Sequence, residues 1–340
     1  MRFSFFEEVK KEFGHESDSF LNEIVVGFEM KRFLIVLLLF SKSITAQSQY
    51  AIDTSYTVKS TYGKLIKKYP FIKIAQGNKA VNDTQIQNVV YYNDTKRMLH
   101  FDAFFNKDKK RNPGVIMIHG GGWRSGNKDQ MKVLAQEITS KGYSCFAIEY
   151  RLSLEAKYPQ GVYDVKNAIK FIKDNAKRFH VDPDKIAVLG CSSGGQMAAL
   201  IGTTNEDLAF EDVQYKSKSS SKVHAIIDVD GILAFKHPES QEAEMAAFWL
   251  KGTYDENPEN WKQASALSHA NKNTPPILFI NSSFDRFHAG RDDMIAILDQ
   301  NKIYSEVKTI QDSPHSFWFF QPWLEQTVVY TTEFLDRIFK

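Results

Sequence analysis

The chain has 340 residues, 43% hydrophobic and 25% charged, the make-up of an ordinary globular protein. Lys+Arg is 43 and Asp+Glu is 41, so the formal net charge is only +2. That excludes the strong basic field expected of a protein drawn to nucleic acid or anionic membranes, and two cysteines exclude a disulfide scaffold.

Residues 1–29 precede Met30 and read as a start-site extension. From Met30 a short basic stretch (Lys31, Arg32) leads into the apolar run 33–40 and then small and polar residues ending at Ala46. This is the anatomy of a secretory signal over 30–46, too short to span a bilayer comfortably. The expectation is export to the periplasm or the extracellular space after cleavage near Ala46, with no membrane attachment thereafter. Residues 47–87 form a polar lead-in, and 88–340 the catalytic domain.

Residues 88–92 and 99–105 predict a hairpin, joined through Asn93-Asp94. The basic run 107–111 reads as a solvated loop. Residues 114–118 are continuously apolar, as in a strand buried on both faces. A helix is expected over 131–141, a strand over 143–150 and a long amphipathic helix over 162–179. Strand 185–189, helix 195–201 and strand 224–229 follow. Then come strand 276–280, helix 291–300, strand 304–310 and a last helix over 328–339. This alternation predicts an α/β fold with a mostly parallel, doubly wound sheet and helices on both faces. Residues 231–273, after the sixth strand, exceed a simple connection. They read either as a cap over the site or as a peripheral helix pair.

The frame Gly190-x-Ser192-x-Gly194 joins the strand 185–189 to the helix 195–201. That is the setting of a nucleophile elbow, a turn so sharp that its flanking residues must lack side chains. Ser192 is then the nucleophile, and Ser193 supplies a backbone N–H for an oxyanion. Upstream, His119-Gly120-Gly121-Gly122-Trp123 follows the buried strand 114–118, and a glycine run there can turn N–H groups toward a substrate carbonyl. A serine hydroxyl needs a base, and the base an orienting carboxylate, in the chain order Ser, Asp or Glu, His. His315, after the last strand, is the expected base, with His288 as its rival. Asp285, after the strand 276–280, is the expected acid, with Asp292 the alternative further along. Cys145 and Cys191 read as small buried residues. Asp164 and Arg151 are expected to form an ion pair beneath the site. Neither a metal nor a cofactor is required by any motif.

The stretches "HGGGW", "YRLS", "YPQGVYDVKNAIKFIKDNA", "VDPDKIAVLGCSSGG" and "SPHSFWFFQPW" resemble serine esterases of the α/β-hydrolase superfamily. The branch they resemble holds hormone-sensitive-lipase-like and acetyl xylan–feruloyl esterases. The resemblance runs over roughly residues 88 to 340. It implies Ser192 as nucleophile, His315 as base, and Gly121, Gly122 and Ser193 as oxyanion donors. Two departures stand out: Ser193 where alanine is usual, and the acid loop "NSSFDRFHAG" without the usual His-Gly opening. The resemblance also implies short acyl esters, acetyl or hydroxycinnamoyl, on plant cell-wall polysaccharide, or a small ester, as substrate. Trp123 and Trp318 are the candidates for contact with it. A peptidase, amidase or lipase of the same fold, and an inactive hydrolase-like binding protein, are the competing readings.

Overall fold

In the computed structural model the described residues are 51–340 except 78–82, 95–96, 109–110 and 242. The start-site extension, the signal peptide and its cleavage point, and Lys109 and Lys110 of the basic run, lie outside them.

Residues 52–340 form one unit. It opens with helix α1 (Val58–Leu65), capped by the Thr57 side chain, and the short strand β1 (Lys73–Ile74). Strands β2 (Asp83–Asn93) and β3 (Met98–Asn106) make the expected antiparallel hairpin, longer at both ends than its apolar residues suggest. Next come β4 (Asn112–Ile118), helix α2 (Lys132–Ser140), β5 (Ser144–Ile148) and helix α3 (Gln160–Asp174). β6 (Val181–Cys191) runs into helix α4 (Ser193–Thr203), followed by β7 (Ala225–Val229). After β7 the chain makes helices α5 (Ala243–Trp249) and α6 (Pro258–Ala264) before β8 (Ile277–Asn281). Helix α7 (Arg291–Gln300), β9 (Ser305–Thr309), β10 (Phe320–Gln321) and helix α8 (Trp323–Phe339) complete it.

Eight strands form one sheet in the order β2-β3-β5-β4-β6-β7-β8-β9, parallel from β5 onward. β1 and β10 pair separately. Side chains alternate across each strand, so β4 feeds two cores. Ile116 and Ile118 pack with α3, α4 and the insertion helices on one face. Val115 and Met117 pack with α2 and α8 on the other. This is the α/β-hydrolase fold, a mostly parallel sheet with helices on both faces, and residues 231–273 form the insertion after the sixth strand of the large sheet. Helix α3 stops at Asp174, short of the expected 179, and α8 starts at Trp323 rather than 328, directly after Pro322.

The expected ion pair lies beneath the β5 exit. Asp164, fully buried on α3, accepts from Arg151 Nε at 3.0 Å and from the Arg151 backbone N–H at 2.9 Å. Tyr150, one residue earlier, donates its hydroxyl to the His119 carbonyl at 2.9 Å. The pair therefore braces the loop that carries His119. Removing only the carboxylate strands a half-buried guanidinium. Asp164→Asn should cost about 3 kcal/mol of unfolding free energy in a urea titration. A cost below about 1 kcal/mol would mean that water reaches the guanidinium and solvates it.

Candidate active site

Ser192 occupies the one-residue turn between β6 and α4, with φ 57° and ψ −124°. A side chain is strained there, a cost on the order of 1–3 kcal/mol. The turn is kept by near contact on every side. A Cβ on Gly190 would stand 1.9 Å from the Gly194 carbonyl oxygen, and one on Gly194 2.2 Å from the Ile118 carbonyl oxygen. The Ser192 N–H donates to the Val229 carbonyl at 2.8 Å, tying the turn to the end of β7.

Ser192 Oγ lies 2.8 Å from His315 Nε2, and His315 Nδ1 lies 2.9 Å from Oδ2 of Asp230. An ionised carboxylate only accepts, so it holds the proton on Nδ1 and leaves Nε2 to accept from Ser192. Phe287 stacks on the imidazole at 3.4 Å between ring centroids, and Trp318 meets it edge-on at 5.4 Å. The Tyr56 and Ser316 hydroxyls are 3.0 Å apart, linking the loop of His315 to the segment before α1.

The expected acid is therefore corrected: Asp230, not Asp285, faces the histidine. Asp230 is the first residue past β7, the strand paired with the β6 strand that ends at the nucleophile, and it is buried at φ 54°. Its other oxygen accepts the Ser282 N–H at 2.7 Å. Asp285 is exposed in a 3-10 turn (Asp285–His288), one strand further from β6. Asp292 is exposed in the first turn of α7 and takes a hydrogen bond from Arg291 Nε at 2.8 Å. The signal for Asp230 was in the sequence: a strand next to the nucleophile strand running straight into Asp-Gly.

His288 sits 3.7 Å from Asp230 Oδ1 and 3.1 Å from the Ser282 carbonyl, on the far side of the carboxylate from His315. Burial, ahead of any charge, pushes its pKa down and keeps it neutral. His119 is likewise held down, to about 4, by burial, and stacks on Tyr150. Burial raises the thiol of Cys191, next to Ser192, well above its usual range, which disfavours the thiolate.

The glycine run turns sharply through Gly121 (φ 128°), Gly122 (φ 60°) and Trp123 (φ 57°). Ser125 fixes it by donating both its N–H (3.0 Å) and its hydroxyl (2.9 Å) to the Gly121 carbonyl. Ser193 is the first residue of α4, so its N–H has no partner within the helix. Gly122, Ser193, Trp123, Ile232, Phe287 and Asp230 surround a cavity of about 20 Å³ at Ser192. Trp123 thus reaches the cavity, pinned by its Nε1–H to Gln196 Oε1 (2.8 Å) and stacked on Trp249 at 4.9 Å. Trp318 is buried in the core on the α8 face and touches the site through His315.

The BD-FAE family model matches residues 101–291, more than half of the chain. Esterase LipC of Mycobacterium tuberculosis is 29% identical over 207 residues, 58% of this chain and 51% of that protein. The arylesterase of Saccharolobus solfataricus is 39% identical over 94 residues, 27% of this chain and 30% of that one. The chain spans about half the length, or less, of the curated relatives it matches here. Among solved structures, a truncated carbohydrate esterase from gut microbiota superposes with a TM-score of 0.65. It is 23% identical and covers 77% of this chain and 100% of that one. The Est2 esterase of Thermogutta terrifontis superposes at 0.63, with 22% identity, 74% of this chain and 92% of that one.

The carboxylate assignment is open to test without any substrate. A proton shared between imidazole Nδ1 and a buried carboxylate gives a far-downfield proton NMR resonance. It should be lost in Asp230→Asn and kept in Asp285→Asn. Loss of the resonance in Asp285→Asn alone would return the acid to the β8 loop.

Proposed function

The chain belongs to the BD-FAE family, and on that premise we propose that it is a serine-dependent carboxylic ester hydrolase acting on short acyl groups of acylated carbohydrate. The observation that carries the reading is the unbroken chain Asp230–His315–Ser192, with hydrogen bonds of 2.9 and 2.8 Å. Ser192 Oγ attacks the ester carbonyl carbon while His315 Nε2 takes its proton. The carbonyl oxygen becomes an oxyanion held by the N–H groups of Gly121, Gly122 and Ser193. Collapse expels the alcohol, which takes the proton from His315. Water, deprotonated by the same imidazole, then cleaves the acyl-enzyme and releases the acid.

The size of the cavity at Ser192 supports acetyl as the acyl group. About 20 Å³ is scarcely more than one water needs, enough for a methyl group. Of the cavity's walls, Trp123 and Phe287 are held by ring stacking. The carbohydrate part of the reading draws on the gut-microbiota neighbour, itself described as a carbohydrate esterase. The signal-like pattern over 30–46 supports export. Among the described residues no helix is long and apolar enough to cross a membrane.

Hydrolysis of p-nitrophenyl acetate tests the machinery. Ser192→Ala should lose about a million-fold in kcat, and Asp230→Asn about 10,000-fold, because the amide no longer fixes the productive tautomer. Ser193→Ala should keep most of the rate, since alanine retains the backbone N–H. If Ser193→Ala were the dead variant, the register of the turn would be wrong. Acyl size is read from p-nitrophenyl acetate against butyrate. The longer chain should lose at least about tenfold in kcat/KM, and equal rates would refute an acetyl-sized cavity.

A further inference from the structure

Besides the small cavity at Ser192, the insertion after β7 builds a second and much larger one. It measures about 510 Å³ and is lined by Phe235, Lys236, His237, Ser240, Tyr254 and Trp261, among others. That is within the range of ligand-sized clefts. A ring contact joins the linings of the two cavities. Ile232 lines the small one, Phe235 lines the large one three residues later, and Phe235 packs on Trp123 at 5.3 Å between centroids.

The rings of the large cavity are held in place before any ligand arrives. Trp261 donates its Nε1–H to the Gly252 carbonyl at 3.0 Å and meets Phe235 and Tyr254 edge-on. The Phe235 N–H donates to Ser265 Oγ at 3.1 Å. His237 is clamped, with Nε2 3.1 Å from Asp293 and Nδ1 3.4 Å from Glu239. Pre-set rings spare the ordering cost of binding.

We propose that this cavity is a saccharide subsite, holding a sugar ring of the alcohol part of the ester while the acyl group enters the small cavity at Ser192. The inference rests on the esterase reading and deepens it. The wall is mostly apolar, from Phe235, Pro238, Tyr254 and Trp261, with hydrogen-bonding groups of Lys236 and Ser240 beside the rings. A pyranose has that same division, a C–H face that lies on aromatic rings and a rim of hydroxyls that donate and accept.

The test compares one small ester with one saccharide ester. Tyr254→Ala and Lys236→Ala change a half-buried and an exposed residue of the cavity. Both variants should hydrolyse p-nitrophenyl acetate within about twofold of the parent, because neither touches Ser192, His315 or Asp230. On acetylated xylotetraose, Tyr254→Ala should raise KM about tenfold with little change in kcat, the loss of one ring contact. Unacetylated xylotetraose should also quench the tryptophan fluorescence of Ser192→Ala, more weakly when Tyr254→Ala is added. Unchanged KM in both variants, or no quenching, overturns the subsite while the esterase reading stands. Equal loss on both esters means that Tyr254 only supports the fold, and also overturns it. A parent inactive on p-nitrophenyl acetate would instead sink the esterase reading itself.

Discussion

The backbone of Ser192 is the constraint on which the rest of the site depends. At φ 57° and ψ −124° it can be held only where strand and helix approach so closely that no side chain fits between them. The close approach supplies what offsets the strain. Gly190 abuts Gly194, Gly194 abuts the end of β4, and the Ser192 N–H is taken by the last carbonyl of β7. The turn is thus clamped by both strands that flank β6. Those strands are in register with it, Ile118 opposite Gly190 on one side and Val229 opposite Cys191 on the other. Three chains therefore leave the sheet at one level. The glycine run follows β4, Ser192 follows β6 and Asp230 follows β7. A ligand site in the crevice beyond the carboxyl ends of parallel strands is the general outcome of such a sheet.

This register also explains why Asp230, and not Asp285, faces His315. Chain order alone allows any aspartate between 192 and 315, and a loop after β8 looks the more open place for one. What decides is lateral distance. Strands in a sheet lie roughly 4.8 Å apart, so a residue past β8 starts one strand further from Ser192 than a residue past β7. Asp230 then needs φ 54° to turn its carboxylate toward His315, and the N–H of Ser282 from the β8 loop to satisfy its second oxygen. The β8 loop meets both side chains, the Ser282 N–H holding the Asp230 carboxylate and Phe287 stacking on the His315 imidazole. Neither the unusual backbone nor the borrowed N–H is visible in a string of residues. The Asp-Gly at the end of an apolar strand is.

Much else was legible because it rests on local pattern. The apolar runs of β4 and β6 marked the centre of the sheet, and the glycine frame marked the turn after it. Ser192 and His315 follow from those two facts and from chain order. The N-terminal lead-in was not legible, since its role depends on partners far along the chain. Tyr56 meets Ser316 across 260 residues, and the Tyr56 carbonyl accepts from Gln130 Nε2. A polar stretch with a few aromatics gives no local sign of packing against a catalytic loop. Trp123 was assigned by its place beside the glycines and does reach the cavity. Trp318 was assigned by its place beside the histidine, but its ring packs into the core and supports the imidazole edge.

One connection, from β7 to β8, carries most of what distinguishes this site. Its first residue is the carboxylate, Asp230. Two residues later Ile232 lines the cavity at Ser192, and Phe235, buried against Trp123, lines the larger one. Further on, Met245 of α5 packs over Gly122, so near that a Cβ there would come within 2.9 Å of its Cγ, and Trp249 stacks on Trp123. The insertion therefore fixes the height of the glycine run from above, as the strand ends fix it from below. A glycine run alone is permissive and loses much conformational freedom on ordering. Pressed between a strand end and a helix, it becomes a rigid pair of turns. The same insertion helices thus also pack over the loop expected to carry the oxyanion donors.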